Sequence, residues 1–125
     1  MTDCDVCIGG TCDEYPELSE TKVKTARVQH KCCECGRLII KGQSYEHCVM
    51  KYEGDWLSYK TCMLCVEIRN VFTCGNGWMF ESLWNDMEEY AFDRLTTASP
   101  CFTKLPPEAK KFVLARWREW KGLAA

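Results

Sequence analysis

His30-Lys31-Cys32-Cys33-Glu34-Cys35-Gly36 and Cys62-Met63-Leu64-Cys65 are two stretches of one chain, with twenty-six residues between Cys35 and Cys62. Each carries a C-x2-C pair. Two matched pairs can bring four thiolates to one tetrahedral point, the arrangement that structural zinc takes. Gly36, directly after the first pair, can adopt the left-handed backbone that lets a tight knuckle turn its amides toward sulfur. The second pair opens a stretch of helical periodicity, so the positive end of a helix meets thiolate. Cys32, Cys35, Cys62 and Cys65 are therefore the first candidate metal site, with Zn²⁺ as the expected ion. A rubredoxin-type iron site would use the same ligands. Four sulfurs leave no open position for a substrate, so the expected role is structural.

The spacer between the pairs has strand chemistry. Ser44 to Tyr52 carries Tyr45, Val49 and Tyr52, Glu53-Gly54-Asp55 reads as a turn, and Trp56 to Tyr59 reads as the returning strand. From Cys62 the apolar residues Leu64, Ile68 and Val71-Phe72 recur at helical spacing, up to the breakers Cys74-Gly75-Asn76-Gly77. A second helix is expected over 78–92, with Phe80, Leu83, Trp84, Met87 and Ala91 on one side and acids on the other. Residues 95–104 read as loop. A last helix begins at Pro106-Pro107-Glu108 and runs to about Lys121, with Gly122 placed to end it. Its apolar stripe is Val113, Trp117 and Trp120, with Ala109 and Phe112 beside it. Knuckle, hairpin, then helix is the order of a treble-clef zinc unit. The expected fold class is α+β: a small treble-clef-like core with a helical C-terminal half. The expected organisation is a single domain over 1–125. It comprises a cysteine-containing loop over 1–20, the zinc unit over 28–74 and C-terminal helices over 78–122.

Eleven cysteines in 125 residues mean either a disulfide scaffold or metal. The acidic stretch Met1 to Cys12 has no apolar h-region, and no run approaches the roughly 18–20 apolar residues of a membrane span. These features predict a cytoplasmic, reducing location in which thiols stay free to ligate. A second metal is expected from Cys4 and Cys7, a third C-x2-C pair. Cys33 and Cys74 are the preferred completing ligands, and Cys12, Cys48, His30 and His47 are the other candidates. Cys48 and Cys101 read as small core residues. With two histidines in the chain, and none in the stretch after Cys65, a metal-dependent nuclease is disfavoured. Three C-x-x-C pairs fit ligands better than a thiol oxidoreductase.

Charge comes in blocks. Residues 22–31 carry Lys22, Lys24, Arg27 and Lys31 without an acid, and residues 81–93 carry Glu81, Asp86, Glu88, Glu89 and Asp93 without a base. Solvated faces explain such blocks. The sharper reading gives Glu81, Asp86, Glu88 and Glu89, with Arg116, Arg118 and Lys121, to a protein partner. Net charge of −2 argues against general nucleic-acid binding but leaves a local basic patch able to contact phosphate.

Cys4-Asp5-Val6-Cys7-Ile8-Gly9-Gly10, the knuckle at 30–36, Cys62 to Arg69, and Arg116-Trp117-Arg118-Glu119-Trp120-Lys121 together resemble a group of small cysteine-rich zinc-binding proteins of bacteriophages and prophages. The resemblance implies a phage protein inside a bacterial host cell. There it points to a non-enzymatic accessory factor that binds a host protein, such as an inhibitor of a host defence of the CRISPR kind. A nucleic-acid-binding zinc regulator using residues 22–31 and 116–121 is the alternative.

Overall fold

A computed structural model of the chain describes Ile8, residues 18–73 and residues 80–124. Strands β1 (Leu18–Thr25), β4 (Ser44–Tyr52) and β5 (Asp55–Cys62) form an antiparallel sheet in the order β1-β4-β5. Strands β2 (His30–Lys31) and β3 (Leu38–Ile39) pair as a separate short ribbon. The described helices are α1 (Met63–Phe72), α2 (Leu83–Asp86), α3 (Pro100–Thr103) and α4 (Pro107–Ala124). The chain is a small mixed α and β protein with antiparallel sheets.

The hairpin is tighter than its sequence predicts. Only Glu53 and Gly54 connect β4 to β5, with φ of 50° and 84°. Two left-handed residues in succession make the turn whose twist matches that of the flanking strands. The ladder runs from Tyr52 opposite Asp55 to Tyr45 opposite Cys62. Cys62 is thus the last residue of a strand and the N-cap of α1 at once. β4 has the bounds expected of it, and β5 extends three residues past the expected Tyr59.

β1 is a strand that the sequence does not announce. It begins within the stretch read as an N-terminal loop and continues through the basic segment. All eight of its residues are exposed. An edge strand wet on both faces has no apolar alternation to betray it, and Thr21, Val23 and Thr25 leave only a weak β-branched signal. Its charged residues also suit an edge, since they discourage pairing with another chain.

Helix α1 buries Cys65, Val66, Ile68, Arg69 and Phe72. Arg69 lies on the buried stripe because it is four residues from Cys65 and three from Phe72. Its guanidinium meets Glu46 of β4 through two parallel hydrogen bonds, of 3.0 and 2.8 Å. Both side chains are nearly inaccessible. This pair fastens helix α1 to the central strand of the sheet.

The C-terminal half differs from expectation in its breaks. The helix expected over 78–92 is four residues of α2 followed by a π-helical turn, Met87–Ala91, in which the Phe92 amide donates to the Met87 carbonyl at 2.8 Å. A wider turn brings both Ala91 and Phe92 beneath Met87, and all three are buried. The expected apolar side is otherwise correct: Leu83 and Trp84 are buried, and Phe80 stacks on Tyr59 with ring centroids 4.4 Å apart. The loop expected over 95–104 contains α3, which starts with Pro100 in its first turn after Ser99. α4 continues through Gly122 to Ala124, so that glycine does not end the helix.

Packing joins the halves. Ala109 and Val113 of α4 are wholly buried. Trp84 stacks on Phe112, with centroids 5.3 Å apart, and the Trp117 indole N–H donates to the Phe92 carbonyl at 3.0 Å. Ile8 sits in the same core, its amide donating to the Phe72 carbonyl at 2.9 Å. Among the described residues no helix is long and apolar enough to cross a membrane.

Removing one member of the Arg69–Glu46 pair strands a buried charge, at a cost of about 3–5 kcal/mol. Arg69→Met should therefore lower the urea midpoint sharply, and the double change Arg69→Met with Glu46→Leu should recover most of the loss. Equal loss in the single and double variants would show that the pair is not what couples α1 to the sheet.

Candidate metal centre

The first candidate site assembles as its spacing predicts. The sulfurs of Cys32, Cys35, Cys62 and Cys65 all lie within 4.8 Å of one another. Cys32, Cys62 and Cys65 are buried and Cys35 is half-buried. The Cys35 and Cys62 sulfurs stand 3.8 Å apart. A tetrahedral ion with metal–sulfur bonds of about 2.3 Å holds its sulfurs roughly 3.8 Å apart, whereas a disulfide needs about 2.05 Å. The four are free thiols. The donor set and its spacing fit a metal ion.

Backbone geometry puts them there. β2 and β3 form the knuckle, closed by the Cys32 amide on the Arg37 carbonyl at 2.9 Å and the Gly36 amide on the Cys32 carbonyl at 3.0 Å. Gly36 holds φ at 75°, a conformation that a side chain would strain. The Cys32 sulfur accepts the amides of Glu34 at 3.4 Å and Cys62 at 3.3 Å. Those donors favour thiolate. The Cys33 amide donates to the Lys60 carbonyl at 2.8 Å and ties the knuckle to β5. Helix α1 has neither an acid in its first turn nor a side-chain cap. With a cation bound, thiolate at Cys62 and Cys65 would be the negative charge that meets its positive end.

Crowding splits the thiols electrically. Cys35, Cys62 and Cys65 donate to Cys32 and pull its pKa far below the ordinary thiol value. Sharing with Cys32 and Cys35 pushes Cys62 and Cys65 well above it. Cys35 is raised by Cys32 but lowered more by Cys62 and Cys65, and comes to about 7. Without a cation the cluster cannot hold four negative charges. A divalent ion removes that conflict and displaces the protons.

Of the second candidate set of Cys4, Cys7, Cys33 and Cys74, only Cys33 is among the described residues. Cys4, Cys7 and Cys74 lie outside them, as do Cys12 and Trp78. Cys33 turns away from the four sulfurs toward the Thr61 hydroxyl at 3.4 Å, and burial pushes its thiol up to about 12. Cys48 is the free buried thiol expected of it. Cys101 is wholly buried but disulfide-bonded, which corrects its reading as a plain core thiol.

Neither histidine is at the centre. His30 packs on Tyr45 with centroids 5.1 Å apart. His47 lies on β4, with the Lys24 amine 3.0 Å from Nδ1 and the Ser58 hydroxyl 2.8 Å from Nε2. Burial, then the charges of Lys24 and Lys60, hold its pKa below the usual value.

Glu34 is the residue that sequence reasoning passed over. Its carboxylate accepts the Glu81 amide and the Leu83 amide, each at 3.1 Å. It thus caps α2 from within the knuckle. Burial raises its pKa, partly offset by those two amides. A carboxylate between two ligand cysteines reads as solvated, so nothing in the sequence pointed to it.

The proposed partner residues sort differently. Glu81, Glu88, Glu89 and Arg118 are exposed, and Asp86 is half-buried. Arg116 lies over the Trp84 ring at 4.4 Å, and Lys121 over the Trp117 ring at 4.0 Å. Both cations are thus engaged with the chain's own aromatics.

No family model, curated protein or solved structure matches the chain.

Cys35→Ser should lose the ion and leave a chain that unfolds far below the parent. Cys48→Ser, which only buries a hydroxyl, should cost about 1–2 kcal/mol. Metal content per chain and melting temperature check both. Glu34→Ala should retain the ion yet lose about 1–2 kcal/mol through the uncapped α2, read by denaturant unfolding at constant metal content.

Proposed function

We propose that the chain is a non-enzymatic, zinc-stabilised binding protein. The observation that carries this reading is the closed donor set: four sulfurs within 4.8 Å of one another and, among the described residues, no histidine or carboxylate in the cluster with them. Glu34 is occupied by two amides, and His30 and His47 belong to other surroundings. The order of knuckle, hairpin and helix around those sulfurs supports a treble-clef unit. Zinc suits four thiolates and a purely structural role, and iron is the ion it has to be distinguished from.

Such an ion would contribute on the order of 10–16 kcal/mol, as much as the roughly 5–15 kcal/mol by which whole domains are stable. The C-terminal aromatic packing would then rest on a metal-dependent core. Function would lie in the surface. Glu81, Glu88 and Glu89 remain exposed, which supports a host protein partner docking by opposite charge. An accessory role in a phage-infected bacterium, such as blocking a host defence, is the form of this reading that the resemblance favours. A second reading, nucleic-acid binding, gains from the sheet, which adds Lys51 and Lys60 to the lysines of residues 22–31.

Protein purified without added metal should be colourless and contain one zinc per chain, or two if the second set also ligates. A strong chelator should abolish the cooperative melt. Visible charge-transfer bands would assign iron instead, and a metal-free protein with unchanged melting would overturn the proposal.

A further inference from the structure

The register of the sheet collects charge that is scattered in sequence. Lys22 stands opposite His47, which stands opposite Lys60. Two residues along, Lys24 stands opposite Tyr45. At the other end Lys51 stands opposite Trp56. Residues directly opposite, and those two apart along a strand, share a face. Lys22, Lys24, Lys51, Lys60 and Trp56 therefore occupy one side of the sheet. The side that packs on α1 is the other one, marked by Glu46 and its bond to Arg69.

This side is wet. Lys22, Lys24 and Trp56 are exposed, Trp56 at 63%, and Lys51 and Lys60 are half-exposed. Its one acid on β1, Glu20, is held by Lys22 at 2.8 Å. The face continues into an open cleft of about 820 Å³ lined by Lys24, Arg27, His30 and Tyr45 among others. Neighbouring strands lie about 4.8 Å apart and alternate residues about 6.7 Å apart, so the amines form a grid rather than a single cluster. A chain of net charge −2 thus carries a local positive surface with a large exposed aromatic at its edge.

We propose that this side of the sheet binds single-stranded nucleic acid. Lysines track a phosphate backbone through charge alone, and an exposed indole offers a platform for an unpaired base. A flat basic sheet with an aromatic suits splayed bases better than a duplex, whose bases are stacked inside. The inference rests on the reading of the chain as a non-enzymatic binding protein and assigns that protein a site and a ligand class.

The test is fluorescence anisotropy of labelled single-stranded DNA and RNA, and of a duplex of the same sequence, with the metal-loaded protein at about 50–200 mM salt. Four lysines on a single strand predict a log–log salt slope of about −3, at roughly −0.7 per phosphate. Lys24→Ala with Lys60→Ala should reduce that slope by about 1.4. Trp56→Ala should weaken binding about tenfold with the slope unchanged. All three substitutions are surface changes, so metal content and melting should stay at parent values. No binding to any strand at the lowest salt would overturn the inference, as would a preference for duplex or a slope that the double variant leaves unaltered. If metal content and melting are as proposed while binding is absent, the sheet assignment alone fails. If the protein holds no metal, the underlying reading fails.

Discussion

Four sulfurs that must sit within van der Waals reach of each other constrain every other part of this chain. Thiolates at that spacing repel, so without a cation the cluster as a whole has to keep part of its protons. Only a cation lets all four ionise together. The same four residues are also the joints of the fold. Cys32 and Cys35 close the ribbon of β2 and β3, Cys62 ends β5, and Cys65 lies in the first turn of α1. Whatever holds the sulfurs holds a ribbon, a sheet and a helix at fixed angles.

Two polar contacts extend that constraint outward. Glu34 reaches from the knuckle to the start of α2, and Arg69 reaches from α1 to Glu46 near the start of β4. Neither contact substitutes for the sulfur cluster, since a buried ion pair gains little over apolar packing of the same shape. Each fixes orientation instead. The aromatic residues of α4 then close over α2 and the π-helical turn, and Arg116 and Lys121 lie across their rings. In a 125-residue chain, four cysteines that could hold a metal ion bring a ribbon, a strand end and a helix start to one point.

The centre was legible because ligand spacing is a local signal: C-x2-C with glycine after it specifies a knuckle whatever surrounds it. The strand Ser44–Tyr52 and the buried stripe of Leu83, Trp84, Met87 and Ala91 were legible for the same reason, their period being written in neighbouring residues. β1 was not, because a strand exposed on both faces has no period to read. The π-helical turn was not, because widening at Met87 answers to what packs beneath it. Arg69 could have been found: its place at i+4 from Cys65 puts a charge on an apolar stripe, which asks for a buried partner. Glu34 offered no such clue. The grouping of Lys22, Lys24, Lys51 and Lys60 is a product of strand register and appears only once the sheet order is known.

That register gives the molecule two characters, a basic sheet face and exposed acids at α2 and the following turn, although its net charge is near zero. On the proposed reading both depend on the ion held by the sulfur cluster, which gives the sheet and α2 their places. X-ray absorption at the metal edge of the protein as purified addresses that dependence at its source. A single shell of four sulfurs at about 2.3 Å is the predicted result. A shell containing nitrogen or oxygen, or no metal signal from a protein that still melts cooperatively, would contradict it.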